Sequence, residues 1–293
     1  MKISHGLEYI AFWLLTKSVQ IMPARLADMI AVLLGKLAYK ILASRRRIAS
    51  DNLRRAFGET KTGAEYEMII KNVFIDVSRT TVEFARQPVL SRAKILKMIP
   101  ESSGREHIDE ALGKGYGLIF VSAHVGNWEL LGGWLTANGY PTDFLVGQQH
   151  NPYVDKLFDN FRAAFGVGRF PVGVAARHVL KSLRDNRVVA LVSDQHSASG
   201  GVVVDFFGRP ASTPVGPAAF SIKTGSPIVL GVLIRKGFNR HRAIISRLIY
   251  PPGSGNNDKD TVWITQQYTS LLEEIVRQYP DQWMWTHRRW KLD

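Results

Sequence analysis

One stretch decides how this chain folds: Gly117-Leu-Ile-Phe-Val-Ser-Ala-His124-Val-Gly-Asn-Trp-Glu129. It predicts a buried strand, a turn and a helix, because residues 117–123 are apolar and rich in β-forming side chains and Asn127 is a suitable N-cap. His124 stands at the turn, with Glu129 five positions later. In a continuous helix the two side chains would point about 140° apart. A His–Glu pair therefore requires His124 outside the helix, which the Val-Gly-Asn turn permits.

The spacing alone is a weak signal. Eight His and 25 acidic residues among 293 positions give about 0.7 chance pairs with this separation, and the chain contains two. The second pair, His150 and Asp155, follows a plausible strand at 142–147 but lacks the Gly-Asn-Trp context. We assign the second pair to chance and treat the first as the candidate catalytic pair.

Helical and strand-like patterns alternate along most of the chain. The strand-like runs are 117–123, 142–147, 188–193, 202–207, 227–236 and 242–249, and the helical patterns are 64–86, 105–113, 128–137, 151–165, 174–185, 214–223 and 260–278. This alternation predicts an α/β fold with a mixed, mainly parallel central sheet covered by helices on both faces. Asp194 follows a strand-like run, and we expect it at the same sheet edge as His124, where sites in such folds gather. Thr213 before Pro214 predicts the N-cap and first residue of a helix.

Composition and absent motifs exclude several classes of protein. An apolar content of 45% in 293 residues is enough for a large core. The absence of cysteine excludes disulfides, thiolate metal sites and thiol nucleophiles. The sequence also lacks the motifs of serine hydrolases, P-loop enzymes, Rossmann dehydrogenases and zincins. We expect neither a metal nor a cofactor.

Positive charge is concentrated at the N-terminus. Residues 1–57 hold ten Lys or Arg and three acidic residues, which makes +7 of the net charge of +13. The longest uncharged runs there, Tyr9–Thr16 and Met29–Gly35, are shorter than the roughly 18–20 residues of a membrane span. We therefore predict a helical membrane-anchoring segment, residues 1–57, lying on an anionic bilayer surface, and an α/β domain, residues 58–293.

Two alternatives for this basic segment stay open. It could be an amphipathic helix packed on the protein's own core. It could also bind nucleic acid, but the sequence contains no zinc-finger or RNP-like motif and its cations neighbour Leu, Ile and Trp. We expect no nucleic-acid partner.

Further candidate residues combine charge or aromatic rings with a suitable position. Phe206 and Phe207 end a strand-like run, where they could line an acyl site or pack in the core. Arg162 lies on the predicted helix 151–165, where it could face solvent or bind phosphate or carboxylate. The C-terminal stretch Trp283-Met-Trp285-Thr-His287-Arg288-Arg289-Trp290-Lys291 interleaves rings and cations, which suits a lipid headgroup or cation–π packing between elements.

Four motifs in order resemble one protein family. They are Ser122-Ala-His124-Val-Gly-Asn-Trp-Glu129, Ser193-Asp194-Gln195, Phe206-Phe-Gly208 through Thr213, and Trp285-Thr-His287-Arg288-Arg289. Together they resemble the bacterial lipid A biosynthesis lauroyl/myristoyl acyltransferases, within the wider lysophospholipid acyltransferase superfamily. The resemblance implies an enzyme at the cytoplasmic face of the bacterial inner membrane. Such an enzyme moves a fatty acyl group from acyl carrier protein or acyl-CoA to a hydroxyl of a glycolipid, here a lipid A precursor in lipopolysaccharide biosynthesis.

The resemblance also implies roles for individual residues. The catalytic His and acidic residue of the family map onto His124 and Glu129, and Arg162 is the nearest counterpart of a family arginine. From the chemistry of their side chains, and not from the resemblance, we expect Arg162 and the pair Arg288-Arg289 to hold phosphates of the donor or acceptor. The residues expected to bind substrate are Asn127, Arg162, Asp194, Gln195, Phe206, Phe207, Arg288 and Arg289.

Acyl transfer from a thioester to an alcohol needs a base for the hydroxyl, and neutral imidazole is suited to that task. We expect His124 to take the acceptor proton and Glu129 to orient the ring. Backbone N–H groups near Gly126 and Asn127 are expected to stabilise the oxyanion. Two other functions stay open: a lipid-binding or scaffold protein without chemistry, and an acyltransferase for a phospholipid or a mannoside.

Overall fold

The structure, a computed structural model, describes residues 3–147, 150–171 and 175–291. The helices are α1 (Ile3–Ile21), α2 (Ala24–Ile41), α3 (Ala43–Phe57), α4 (Gly63–Arg86), α5 (Arg92–Met98), α6 (Arg105–Gly113), α7 (Trp128–Ala137), α8 (Pro152–Ala163), α9 (Ala175–Arg184), α10 (Gly216–Thr224) and α11 (Asn257–Gln278). The strands are β1 (Glu101–Ser103), β2 (Leu118–Ser122), β3 (Thr142–Val146), β4 (Gly168–Pro171), β5 (Val188–Val192), β6 (Gly201–Phe206), β7 (Arg209–Pro214), β8 (Ile228–Gly237) and β9 (Arg240–Ile245).

The central sheet has the strand order β1-β9-β8-β2-β5-β3-β4. Neighbouring strands are parallel except β8 and β9, which run antiparallel. The predicted mixed, mainly parallel sheet is therefore confirmed. The short edge strands β1 and β4 were not predicted, because neither forms an apolar run long enough to stand out.

Strand β2 lies inside the sheet and is buried on both faces. Ile119 and Val121 join a core layer with α9, α10 and α11, whereas Leu118 and Phe120 join a second layer with α5, α6 and α7. Successive side chains of a strand point to opposite faces, so a strand covered on both sides needs apolar residues at every position. This explains the uninterrupted apolar run that ends at His124.

Strands β6 and β7 form a separate antiparallel hairpin. Thr213 lies in β7 opposite Val202, and its hydroxyl accepts a hydrogen bond from Arg289 at 2.6 Å. The prediction that Thr213 caps a helix beginning at Pro214 is wrong, because strand pairing extends through Pro214 and α10 begins at Gly216.

The N-terminal helices contact the rest of the chain closely. Helix α2 packs on α4 through small residues such as Ala27 and Gly35, and a Cβ on Gly35 would lie 2.6 Å from Ile75 Cα. From α3, the side-chain amide of Asn52 donates a hydrogen bond to the main-chain oxygen of Trp285 at 2.7 Å. The division of the chain after residue 57 stays a prediction.

The outer face of α2 exposes a row of large apolar side chains. These are Leu26, Met29, Leu33, Leu37 and Ile41. Because they recur every three or four residues, they lie along one side of the helix. In the described part of the chain, no helix has both the length and the hydropathy needed to cross a membrane. The membrane-anchoring role of this segment stays a prediction.

The contact between α2 and α4 is testable through Gly35. We expect Gly35→Ala to lower the free energy of unfolding by about 1–3 kcal/mol, because the added methyl group meets the main chain of α4. Gly63→Ala is the matched control, since the space around Gly63 is open, and it should be neutral or stabilise by up to about 1 kcal/mol. Chemical denaturation measures both, and equal stabilities of the two variants would contradict the close contact.

Candidate active site

Two neighbouring strands bring His124 and Asp194 to one edge of the sheet. β2 and β5 are parallel, with Ser122 opposite Val192. Each of the two polar side chains follows its strand by two residues. Because carboxyl ends of parallel strands form the edge at which α/β proteins build sites, this register creates the pair.

The carboxylate of Asp194 holds both the ring and the main chain of His124. Its Oδ1 lies 2.8 Å from His124 Nδ1, and its Oδ2 accepts a hydrogen bond from the backbone N–H of His124 at 3.0 Å. The indole N–H of Trp283 donates to the same Oδ2 at 2.8 Å. Asp194 is buried, whereas the His124 side chain is 22% exposed. With Nδ1 bonded to Asp194, Nε2 is the nitrogen left for a substrate.

The two groups set each other's protonation. Burial disfavours the imidazolium, but attraction to Asp194, the hydrogen bond between them and a smaller effect of Glu129 together raise the pKa of His124 above its ordinary value. Burial alone would also raise the pKa of Asp194, but the charge of His124 and the hydrogen bonds from His124 and Trp283 lower it to about 2. Asp194 is thus ionised at neutral pH, beside a histidine that binds protons more tightly than usual.

The structure corrects the expectation that Glu129 orients the ring. Glu129 forms an ion pair with Arg162 instead, at 2.7 Å from Oε1 to Nη2 and 3.2 Å from Oε2 to Nε. Glu129 lies in the first turn of α7 and faces α8, whereas Asp194 follows the strand beside β2. The carboxylate that reaches Nδ1 is therefore the one on the neighbouring strand.

Arg162 is also placed differently from the expectation that it binds phosphate. Its side chain is 8% exposed, and two of its nitrogens are occupied by Glu129. Its guanidinium lies over the rings of Phe84 and Phe158, at 5.3 and 6.0 Å from the ring centroids. Burial between aromatic rings and a carboxylate leaves Arg162 as the partner of Glu129 rather than a surface phosphate ligand.

An apolar cleft begins at this ion pair. It encloses about 410 Å³, including the part open to solvent. Its apolar lining includes Phe120, Leu131, Leu135, Phe144, Leu145 and Leu191. Trp128 lines the same cleft, and its ring centroid lies 5.0 Å from that of His124. Trp128 therefore belongs to the lining of the cleft and also contacts the ring of His124.

The turn between β2 and α7 uses its own amides to hold its shape. The N–H of Gly126 donates to the main-chain oxygen of Gln282 at 2.8 Å, and the N–H of Asn127 donates to that of Leu233 at 2.9 Å. Both amides are therefore already bonded, and the expectation that N–H groups near Gly126 and Asn127 stabilise an oxyanion stays a prediction. Gly126 has a φ of +55°, a backbone angle that residues with a side chain rarely adopt. It also lies against Leu233, which leaves no room for a Cβ atom.

Asn127 is buried and caps α7, and its expected role in substrate binding stays a prediction. Its Oδ1 accepts a hydrogen bond from the N–H of Leu130 at 2.9 Å, and its Nδ2 donates to Glu83 at 2.6 Å. Glu83 in turn binds Arg235 at 2.6 Å, and Arg235 binds Asp76 at 2.5 Å. Burial opposes ionisation of Glu83, but the charge of Arg235 lowers the pKa of Glu83 overall. A buried ionic network thus supports the turn from below.

Three more residues expected to bind substrate lie in the core. Phe206 is fully buried, with its ring centroid 5.5 Å from that of Trp283. Phe207 is also buried and lies edge-on to Phe206. Arg289 is 2% exposed and donates to the main-chain oxygen of Ser212, and burial lowers its pKa to about 10. These side chains hold the β6–β7 hairpin and the C-terminal segment together.

The two other expected substrate-binding residues remain accessible. Gln195 adjoins the ring, with Nε2 3.4 Å from Nδ1 of His124. Arg288 is exposed on the C-terminal segment. Neither position contradicts contact with a substrate, and their roles stay predictions.

The sequence did not predict the bond from Trp283 to Asp194 or the buried position of Arg235. Trp283 is 89 positions from Asp194, so no local pattern connects them. Arg235 did leave a signal, because it follows the apolar run 228–234. A cation that ends a buried strand requires a buried acidic partner, although the sequence does not say which one.

Comparison with known proteins places the chain in one family. The sequence model of the bacterial lipid A biosynthesis acyltransferases matches residues 2–292. The phosphatidylinositol mannoside acyltransferase of Mycobacterium tuberculosis is 27% identical over 217 residues, which cover 72% of this chain and 66% of that protein, just under two thirds of its length. The lipid A biosynthesis lauroyltransferase of Escherichia coli is 25% identical over 264 residues, which cover 88% of this chain and 83% of that protein.

Among solved structures, the 1-acyl-sn-glycerophosphate acyltransferase PlsC from Thermotoga maritima is similar with a TM-score of 0.41 and 12% identity. The match covers 89% of this chain and 99% of that one. The family assignment rests instead on the match of the sequence model along nearly the whole length. This chain belongs to the bacterial lipid A biosynthesis acyltransferase family.

Proposed function

We propose that this protein transfers a fatty acyl group from a thioester donor to a hydroxyl of a membrane glycolipid, with a lipid A precursor as the acceptor. One observation carries the proposal: His124, held by Asp194, adjoins Trp128, which lines an apolar cleft. The cleft offers hydrocarbon and aromatic surface to a fatty chain, and the histidine offers a base where the chain's carbonyl would lie. Membership of an acyltransferase family supports the same reaction class.

The reaction then follows from the bonds around the ring. Nε2 of neutral His124 takes the proton of the acceptor hydroxyl as its oxygen attacks the thioester carbonyl carbon. The tetrahedral intermediate collapses, the carbon–sulfur bond breaks, and the thiolate takes the proton back from the imidazolium. Asp194 holds the ring with Nδ1 protonated and stabilises the imidazolium between these steps. No covalent enzyme intermediate forms.

Glu129 retains a role at the site through its charge. Its carboxylate contributes to the raised pKa of His124 and pairs with Arg162 at the cleft. We propose that this ion pair fixes the polar end of the cleft, so that an acyl chain enters with its carbonyl toward His124. Removing the Glu129 carboxylate would leave the largely buried Arg162 with Asp159, whose Oδ1 lies 3.9 Å from Nη1, and loss of the shorter ion pair is costly in a protein interior.

A mannoside acceptor is the second candidate. The relatives named phosphatidylinositol mannoside acyltransferases are 27% and 28% identical over 217 residues. Both candidate acceptors are glycolipids, so the chemistry at His124 is the same. Parallel reactions with a lipid A precursor and a phosphatidylinositol mannoside, read by mass spectrometry, separate the two.

We propose acyl carrier protein as the donor. The chain carries a net charge of +13, and a strongly acidic carrier is drawn to such a surface by electrostatic steering. Acyl-CoA is the alternative, since it presents the same thioester.

The proposed place of action is an anionic membrane surface, at the cytoplasmic face of the bacterial inner membrane. The apolar row on α2 supports this, because exposed Leu33 and Leu37 would be buried among lipid chains. Lys36 and Lys40 are exposed on the same helix, and Arg45 and Arg47 are exposed on α3. Each cation near an anionic membrane surface contributes on the order of 1 kcal/mol to the free energy of membrane binding.

The first test of the function removes the base. We expect His124→Ala to lower turnover about 10²–10⁴-fold while the protein stays folded, because general-base catalysis typically accelerates a reaction by that factor. Acyl transfer to the glycolipid is measured by mass spectrometry, with Asp155→Ala as the control. Wild-type protein that binds both lipids but forms no product would instead identify a binding protein.

A second test concerns pH. The rate should rise as His124 loses its proton, with a midpoint above the ordinary histidine pKa, because Asp194 raises the pKa of His124. Asp194→Asn removes that carboxylate, so the midpoint of kcat/KM should move to lower pH, and the plateau should fall by about 10²-fold or more because the tautomer is no longer fixed. Glu129→Gln is the control, with a smaller shift of the midpoint. An unchanged midpoint in Asp194→Asn would refute the assignment.

A third test concerns the membrane. We expect Leu33→Gln combined with Leu37→Gln to weaken binding to vesicles containing phosphatidylglycerol by at least about tenfold. Each fully buried leucine side chain contributes on the order of 1.5–3 kcal/mol of hydrophobic free energy to binding. The control combines Val262→Gln with Trp263→Gln, two exposed apolar residues of α11. Equal vesicle binding by both double variants, measured by sedimentation, would exclude the row on α2 as the contact.

A further inference from the structure

A polar cleft lies between α3 and the C-terminal segment 283–291. Its lining includes Asp51, Asn52, Arg55, Arg288, Trp290 and Lys291. Among the described residues, three cations from two separate parts of the chain therefore face one space whose lining includes one carboxylate, that of Asp51. The cleft is distinct from the apolar cleft beside His124, since the two share no lining residue.

The C-terminal segment connects this polar cleft to the catalytic turn. The N–H of Met284 donates to the main-chain oxygen of His124 at 3.0 Å. Four residues further along, Arg288 lines the polar cleft. An extended chain of four residues spans at most about 14 Å, so the backbone of Arg288 lies within that distance of the backbone of Met284.

The same segment is fixed to α3. The side-chain amide of Asn52 donates to the main-chain oxygens of Trp285 and His287, at 2.7 and 2.6 Å. Asn52 is itself buried. Two hydrogen bonds from one buried amide hold the two walls of the polar cleft in a fixed relation, as a preformed binding site requires.

The electrostatics of this region favour an anion. Burial and then the positive charge of Lys291 lower the pKa of His287, and the same two causes lower the pKa of His196. Arg289, next in sequence to Arg288, donates its hydrogen bonds to the neutral oxygens of Ser212 and Thr213 rather than to a carboxylate. Within the described segment 283–291, Arg288, Arg289 and Lys291 carry positive charge and no side chain is acidic.

We propose that the polar cleft binds a phosphate group of a substrate while the acyl thioester lies at His124. The proposal rests on the proposed acyltransferase function. Arginine forks match phosphate oxygens in bidentate geometry, and lysine adds a point charge. Two substrates of the reaction offer such a group: the phosphopantetheine arm that carries the acyl thioester, and the phosphorylated headgroup of the glycolipid. In both substrates the phosphate is separated from the reacting carbon by several bonds, so a cleft that shares no lining residue with the apolar cleft suits it.

The test compares one double variant with substrates that differ by one phosphate. Arg288→Gln combined with Lys291→Gln removes two positive charges from the polar cleft. The control, Lys223→Gln combined with Lys259→Gln, removes two exposed charges from α10 and α11. Lys223 lies near the end of the sheet at which β2 begins, since Ser226 bonds the main chain of Tyr116. Lys259 lies in the first turn of α11, about 30 Å along that helix from its active-site end.

Two substrate pairs identify the source of the phosphate. The donor pair is the acyl thioester of 4′-phosphopantetheine against that of pantetheine, and the acceptor pair is the phosphorylated glycolipid against its dephosphorylated form. We expect the Arg288/Lys291 variant to lose at least about tenfold in kcat/KM with the phosphorylated substrate of one pair and little with the unphosphorylated substrate of that pair. The reason is that one charge-assisted hydrogen bond to phosphate contributes about a factor of ten to affinity. The control variant should keep wild-type rates with all four substrates.

The outcomes separate this proposal from the proposed function. Equal losses with both members of both pairs, or no loss at all, would overturn the phosphate site while acyl transfer stands. If the wild-type protein transfers no acyl group, the proposed function fails, and calorimetric binding of 4′-phosphopantetheine, pantetheine and both forms of the glycolipid then tests the polar cleft directly. Tighter binding of a phosphorylated form by wild type than by the Arg288/Lys291 variant would support it, and equal binding would refute it.

Discussion

The hydrogen bond from His124 Nδ1 to Asp194 is the interaction on which the rest of the site depends. It exists because β2 and β5 are parallel neighbours in a register that ends both strands together. A shift of one residue between them would turn one side chain to the other face of the sheet. The second carboxylate oxygen accepts from the backbone of His124 and from Trp283, so the carboxylate is held on both oxygens. A fixed, ionised partner of this kind makes an imidazole an effective base.

The same geometry explains why so much polar structure is buried below the turn. The backbone N–H groups of Gly126 and Asn127 donate hydrogen bonds to main-chain oxygens of neighbouring segments. Glu83, Arg235 and Asp76 form a buried ionic network next to Asn127, the N-cap of α7. Buried ion pairs add little net stability, because desolvation offsets their attraction. Their value here is positional: the network ties α4, β8 and α7 to one another and so fixes the turn that carries His124.

The sequence predicted what depends on local pattern and failed where contacts are distant. The apolar run before His124 and the similar run before Asp194 placed both residues at one sheet edge. The direction in which the Glu129 side chain points depends on how α7 is rotated relative to α8. The His–Glu spacing carries no information about that rotation. Arg289 resembled a surface phosphate ligand, yet it is buried under the β6–β7 hairpin, whose pairing through Pro214 was not predicted. Long-range packing decided each of these cases.

Nitrogen-15 NMR of the histidine rings tests the central claim, that Asp194 rather than Glu129 holds His124. The account predicts that Nδ1 of His124 carries the proton and Nε2 is unprotonated in the neutral wild-type ring. Asp194→Asn should lower the pKa of His124 and remove the preference for this tautomer, whereas Glu129→Gln should leave the tautomer unchanged. A ring that keeps its tautomer and pKa in Asp194→Asn but loses them in Glu129→Gln would contradict the account.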